Sequence, residues 1–501
     1  MRTGSKIWLT AAGLVFFYLL LGLVVRYPLG QSPLPLSGDE HHYMTQAHSL
    51  LSDRNLVVED NYEREEYRQF FSGTLTPDQW NLMGTDGYSG HSPGTGILVT
   101  PGWWLAGWAG VLATLAVTIG LAFAASAMTL ARLAGQLSDR ALLLLAGGFA
   151  SLPILAFSHT LYPESIMILL TAVLALLIIS HLQAIATHRR RITGMAAIGL
   201  AALAIGLHPK YLAMHLGVLV FVGGFELHDR AKRRPGASYA SVGLYAAVSI
   251  ALVTFFSWSH DAMWDTFHPM GWWPSVSYVF GVDGGRAVVQ FVDLFLGSQL
   301  GLFVLVPLTM VSVAGLVRAL TRGSSPDRRF TLFATILVGT IAGFAAFSEA
   351  WWGGDSPIGR YAAPLVSLLL IVGVHSAMAG PLSAARRAGM VVLLVLGLVQ
   401  SVAYAAFPLA FKPGPAGAGI LTIVAEKVPG MGEVGLWFWT AAAEVTPLSL
   451  APWVLLLGLT VYWYGIPPRR RSGDATLIRD LPSGATVRDP SPAATSADKA
   501  E

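Results

Sequence analysis

The sequence predicts an all-α membrane protein of about 12 transmembrane helices, with a large outer loop behind the first helix that bears amphipathic helices of its own. Three observations predict it. Apolar residues make up 54% of the chain and charged residues only 12%. Apolar runs of roughly 17–25 residues, the length that crosses a bilayer core, recur along the chain. Lys and Arg gather in alternate connecting loops, the bias that marks cytoplasmic loops. There is no cysteine, so no disulfide ties the loops together.

The first apolar run, Ile7 to Val25, is long and lacks a small-residue cleavage site before "YPLGQSPLP", so it reads as a retained span. The spans are expected at residues 7–26, 109–131, 141–158, 164–186, 192–207, 210–226, 238–257, 299–317, 329–348, 360–379, 388–408 and 449–466. With both termini cytoplasmic, the inner loops hold Arg2, Lys6, Arg132, Arg140, "RRR" at 189–191, Arg230, "KRR" at 232–234, Arg318, Arg322, Arg328, Arg329, Arg386, Arg387 and "RRR" at 469–471. These are 20 of the 32 Lys and Arg; with the three in the tail, only nine are left outside, where about 20 of the 29 Asp and Glu fall. The cytoplasmic membrane is therefore the expected location.

Four parts follow. They are the first helix (1–26), an outer loop (27–108), the remaining bundle (109–466) and a tail (467–501) expected to be disordered in the cytoplasm. The apolar end of the outer loop, "GILVTPGWWLAGWAG", is expected to lie along or dip into the outer interface. No internal repeat is visible, which argues against transporters built from duplicated halves.

Ionisable chemistry gathers on the outer side. In "LSGDEHHYMTQAHSLL", Ser37 followed by Glu40 forms a capping-box pattern, and Tyr43, Met44, Ala47, Leu50 and Leu51 then recur at helical spacing. Glu40 and Asp39 can be read as a cap and a complement to the helix dipole, or as chemistry. His41 and His48 lie two turns apart, about 10 Å, too far to share an ion unaided. Lys210 in "GLHPKYL" and Arg360 in "DSPIGRYAAP" each open a span from the outside. Both the orientation bias and the helix dipole disfavour a cation there, by roughly 0.3–1 kcal/mol for the dipole. A bound phosphate would reverse both penalties, with His91 of "YSGHSPGTG" as a third contact and Tyr211 and Tyr361 beside the two cations. The alternatives are snorkelling side chains, or pairing with Asp355 or Glu349. Glu164 in "LYPES" also opens a span, where an acid suits the dipole; it is equally a second carboxylate for the site. "NYEREEYRQF" reads as a solvated loop face, and Trp258, Trp264, Trp272 and Trp273 as an interfacial belt. No charge falls near the middle of a span, and no P-loop, zinc-helix or nucleophile-elbow motif is present.

The order of these features resembles the polytopic lipid-linked-sugar glycosyltransferases of the GT-C fold. The likeness runs through "GDEHHY", "HSPGTGILVTP", "LYPES", "DLFLGSQLGLFVLVPLTMVSVAGL" and "GGDSPIGRYAAP", over most of residues 1 to about 410. Bacterial enzymes modifying cell-surface polymers and lipids are nearest in pattern, with protein O-mannosyltransferases and the aminoarabinose transferase of lipid A more distant. The segment at about 409–448 departs from the pattern. The resemblance implies a donor of polyprenyl-phosphate sugar, an acceptor hydroxyl on a glycan, lipid or protein, and inverting displacement on the outer face. It implies Asp39 as general base with Glu40 its acidic neighbour, Glu164 as a second carboxylate, and Lys210, Arg360 and His91 on the donor phosphate. The resemblance makes no cofactor certain and leaves open a divalent cation held jointly by Asp39 and Glu164, as in some relatives. No nucleic-acid partner is expected. A flippase for a lipid-linked saccharide, or a non-enzymatic assembly subunit, are the rival readings.

Overall fold

The computed structural model describes residues 3–26, 38–75, 82–83, 87–232, 237–265, 267, 282–297, 301–348, 359–378, 383–406 and 447–465, all in the compact unit Met1–Ile466. In chain order the helices are α1 (Thr3–Arg26), α2 (Glu40–Ser52), α3 (Glu59–Glu63), α4 (Gly94–Ala134), α5 (Asp139–Phe149), α6 (Ile154–Phe157), α7 (Pro163–Gln183) and α8 (Thr187–Leu207). They continue as α9 (Leu212–Ala231), α10 (Tyr239–Trp264), α11 (Gly284–Leu296), α12 (Leu302–Leu305), α13 (Val311–Arg322), α14 (Ser325–Ala346), α15 (Ala363–Met378), α16 (Ala384–Ala406) and α17 (Pro447–Thr460). One antiparallel pair, β1 (Leu82–Met83) with β2 (Tyr88–Ser89), is the sheet among the described residues.

The protein is thus an all-α, multi-pass membrane protein. Eight of the described helices are long and apolar enough to cross a bilayer, and three shorter apolar stretches (307–321, 363–378 and 454–464) match further expected spans. Two expected spans are broken by proline, which removes a backbone donor and clashes with the preceding turn. Residues 141–158 become α5 and α6, with Pro153 between them and the Leu152 N–H caught by the Ser401 hydroxyl at 2.9 Å. Residues 299–317 are likewise interrupted at Pro307, where a 3-10 turn joins α12 to α13.

The span expected at 109 is already helical from Gly94. It kinks at Ala106 and Gly107 (φ +57°) so sharply that the backbones of Gly102 and Gly110 touch. A Cβ at either position would collide with the other's carbonyl, so glycine is required at both. The turn leaves Trp104 and Leu105 exposed at its tip.

α4 and α7 form the centre. α4 is rich in buried Ala and Gly, including Ala116, Gly120, Ala122, Ala124 and Ala127, which lets α1 and α7 approach closely. The residues expected inside meet at one end of the bundle. Lys6 pairs with Asp139 at 2.6 Å, Arg329 with Asp229 at 3.1 Å, and His375 with Asp327 at 3.1 Å. There α14 begins with a complete capping box, Ser324 with Asp327, and Pro326 in its first turn. At the other end lie α2, the turn before α7 and the turn between α8 and α9.

Candidate active site

Proline and an extended residue set up the turn that carries Glu164. Tyr162 is extended (φ −137°, ψ 155°), Pro163 opens α7, and Glu164 falls in its first turn, fully buried. A 3-10 turn, Pro209–Tyr211, places Lys210 against it; His208 caps that turn through Nδ1, which accepts the Lys210 N–H at 3.3 Å. Arg360 follows Gly359, whose φ of +74° lies in the left-handed region that favours glycine.

These elements converge. The Lys210 ammonium is ion-paired with Glu164 Oε1. Arg360 donates from Nε to the same oxygen at 3.3 Å and from Nη2 to Asp39 Oδ2 at 2.8 Å. The Tyr211 hydroxyl donates to Glu164 Oε1 at 3.4 Å, while Oε2 is buried with no hydrogen-bond partner. Lys210 stands 4.5 Å from the Tyr361 ring centre and 5.1 Å from that of Tyr211; Arg360 stands 4.9 Å from that of Tyr162. Two cations and two carboxylates, walled by aromatic faces, therefore share one site. A small cleft bounded by Lys210, Tyr211, Tyr361, Ile341, Phe344 and Ala345 adjoins it.

Asp39 is the accessible acid, its side chain one quarter exposed, against zero for Glu164 and Glu40. Burial pushes the Asp39 carboxyl up, but the Arg360 guanidinium, aided by the imidazoles of His91 and His42, more than reverses this and holds it well below the usual range. Burial lowers His91 and His42 in turn. His91 stacks on His42 with ring centres 4.5 Å apart, and its carbonyl accepts from Gln46 at 2.6 Å.

The capping-box reading of Glu40 needs correction. α2 begins at Glu40 itself, so this residue sits at the first helical position and not the third, and its carboxylate binds Arg26 and the Leu161 N–H (2.8 Å). Ser37 lies outside the described residues. Nor does α2 simply rest on a surface: His42, Thr45, Gln46 and Ser49 are buried along with its apolar side, because α4 covers it. The Trp belt is corrected in part. Trp258 is exposed, but Trp264 is buried and donates to the Ser89 carbonyl at 3.0 Å, tying the end of α10 to β2. Trp272, Trp273, Glu349, Asp355, the tail 467–501 and all of 409–448 except its last two residues lie outside the described residues.

Sequence reasoning missed three contributors. They are Arg26, Tyr162 and His42, and no local pattern distinguishes them. Among the described residues no donor set for a divalent cation is assembled. Arg360 and Lys210 already engage the carboxylates, and among the described residues no three His, Asp or Glu come together as metal ligands.

No family model matches the chain, and no curated protein matches it. Among solved structures the chain is similar to ArnT from Cupriavidus metallidurans bound to undecaprenyl phosphate, at 16% identity and a TM-score of 0.49 over 93% of this chain and 77% of that one. It is also similar to the same protein in the apo state, at 14% identity and a TM-score of 0.43 over 91% of this chain and 77% of that one.

Proposed function

We propose that this protein is a membrane glycosyltransferase that moves a sugar from a polyprenyl-phosphate donor to an acceptor hydroxyl on the outer face of the cytoplasmic membrane. One observation carries the reading: Arg360 bridges Asp39 and Glu164 while Lys210 pairs with Glu164, so two cations and an accessible carboxylate converge where the sequence expects the outer face. The motif order quoted above, with its resemblance to the GT-C glycosyltransferases, supports the same conclusion.

In the mechanism we infer, the donor phosphate competes with the two carboxylates for Lys210 and Arg360. Phosphate oxygens accept charge-assisted bonds from both, and Tyr211 and Tyr361 wall the cations in. The move frees Asp39 from the guanidinium that depresses its basicity. The acceptor oxygen then attacks the anomeric carbon as the carbon–oxygen bond to phosphate breaks. The phosphate leaves with the bonding electrons, and the hydroxyl proton passes to Asp39. A carboxylate of ordinary pKa ~4 is a weak base towards an alcohol, so proton transfer is late and the cations stabilise most of the developing charge. Inversion follows from the single displacement. His91, beside Asp39, would orient the donor or acceptor.

The test is the purified full chain in liposomes containing a defined polyprenyl-phosphate sugar and candidate hydroxyl acceptors. Mass spectrometry should find a new glycosidic bond and free polyprenyl phosphate. Passage of intact donor between leaflets with no new bond would replace the enzyme by a flippase.

A further inference from the structure

Two adjacent acids open α2, and only one of them faces the site. Glu40 is completely buried, and its Oε1 takes both the Arg26 guanidinium and the Leu161 N–H. Arg26, itself 5% exposed, donates from Nε to the His159 carbonyl at 3.0 Å and lies over the Trp108 ring, 5.7 Å from its centre. The pair thus joins the end of α1, the start of α2 and residues 159–161 in the turn before α7. Its position matters. Asp39 is the next residue to Glu40, and Glu164 is three residues beyond Leu161. A further bond closes the same seam, since the Tyr162 hydroxyl accepts the Asp39 N–H at 3.2 Å.

We infer that Arg26 and Glu40 form a clasp that sets the distance between Asp39 and Glu164, and that Glu40 is a positioning residue that never touches substrate. Only with that spacing can one guanidinium, Arg360, reach both carboxylates, at 2.8 and 3.3 Å. The clasp sits on the α1–α2 side, whereas Lys210 and Glu164 belong to α7 and the turn before α9. Loosening it should misplace the base and leave the phosphate cations where they are. This inference rests on the glycosyltransferase reading, and the experiment separates the two.

The measurements are undecaprenyl phosphate binding and transfer kinetics of the full-length protein, with Glu40→Gln as the first variant. Gln keeps the acceptor for Leu161 N–H and removes the charge that holds Arg26. The expected result is a fall in kcat of at least about tenfold, with undecaprenyl phosphate affinity and donor KM within about twofold of the parent. The surviving rate should still show an acid limb in its pH profile, because Asp39 is still the base. A buried Arg26 without a partner could prevent folding; the double variant R26Q/E40Q removes that charge and should show the same split between kcat and binding. Parent-like turnover in Glu40→Gln, or a residual rate whose acid limb has vanished, overturns the clasp. So does loss of phosphate binding in a folded variant. If the parent protein itself neither binds undecaprenyl phosphate nor transfers a sugar, the enzyme reading fails instead.

Discussion

Each end of the bundle draws two acids and two cations into one cluster, and the two ends finish the arrangement differently. At the end expected inside, Arg190 donates to Glu226 Oε1 at 2.8 Å and Asp229 Oδ2 at 3.0 Å, and Arg329 donates to Asp229 Oδ1 at 3.1 Å. Glu226 Oε2 accepts the Ser238 N–H at 3.4 Å, and both guanidinium groups lie over the Phe225 ring. Every carboxylate oxygen of that cluster has a donor. At the other end three donors crowd onto Glu164 Oε1, Oε2 has none, and Asp39 stays partly open. A buried polar network rigidifies a fold when it is complete, and an unsatisfied one persists where something else has to bind. The cluster at the end expected inside locks α8, α9 and α14 together; the other keeps an open carboxylate oxygen, as the proposed donor site requires.

Four experiments would break or sharpen that contrast. The largest effect should come from Asp39→Asn, which removes the proton acceptor. Transfer should fall about 10²–10⁴-fold in a liposome assay while undecaprenyl phosphate still binds; unchanged turnover would take Asp39 out of the chemistry. Next is Arg190→Met, which takes the guanidinium from Glu226 and leaves Asp229 to Arg329. Thermal unfolding should show a loss of about 3–5 kcal/mol, with turnover per folded molecule unaltered. A selective loss of turnover there would erase the distinction between the two ends.

Lys210→Met should weaken undecaprenyl phosphate binding by roughly 10–100-fold, the worth of one charge-assisted hydrogen bond. Titration at two salt concentrations would show whether the lost contact is ionic. The smallest effect concerns pH. Because Arg360 depresses the Asp39 carboxyl, the pair stabilises the fold above the unfolded pKa of about 3.9, and that stability is lost as pH falls through the lower folded value. In kcat/KM, which reports the donor-free enzyme, Arg360→Gln should therefore move the acid limb of the rate profile upward; a limb that stays put would mean the pair does not hold Asp39 down.

Much of this was legible one residue at a time. The cations Lys210 and Arg360 at the expected outer starts of spans break local electrostatic rules visibly in sequence, and the structure brings Asp39, Glu164, Lys210 and Arg360 together. Glu40 was misread because a capping box and a buried ion pair need the same residue type at nearly the same place. The partner that decides between them, Arg26, is 14 residues away, and Leu161 is 121 residues away.

Composition, hydrophobic run length and loop charge determined by themselves that this is an all-α multi-pass membrane protein, because crossing a bilayer demands about 20 apolar residues whatever their neighbours are. The tertiary structure alone decided which acid is open and which is locked, where prolines interrupt expected spans, and that one guanidinium serves two carboxylates 125 positions apart in the chain (Asp39 and Glu164). Those outcomes depend on burial and on partners distant in sequence, and neither is encoded in any local window.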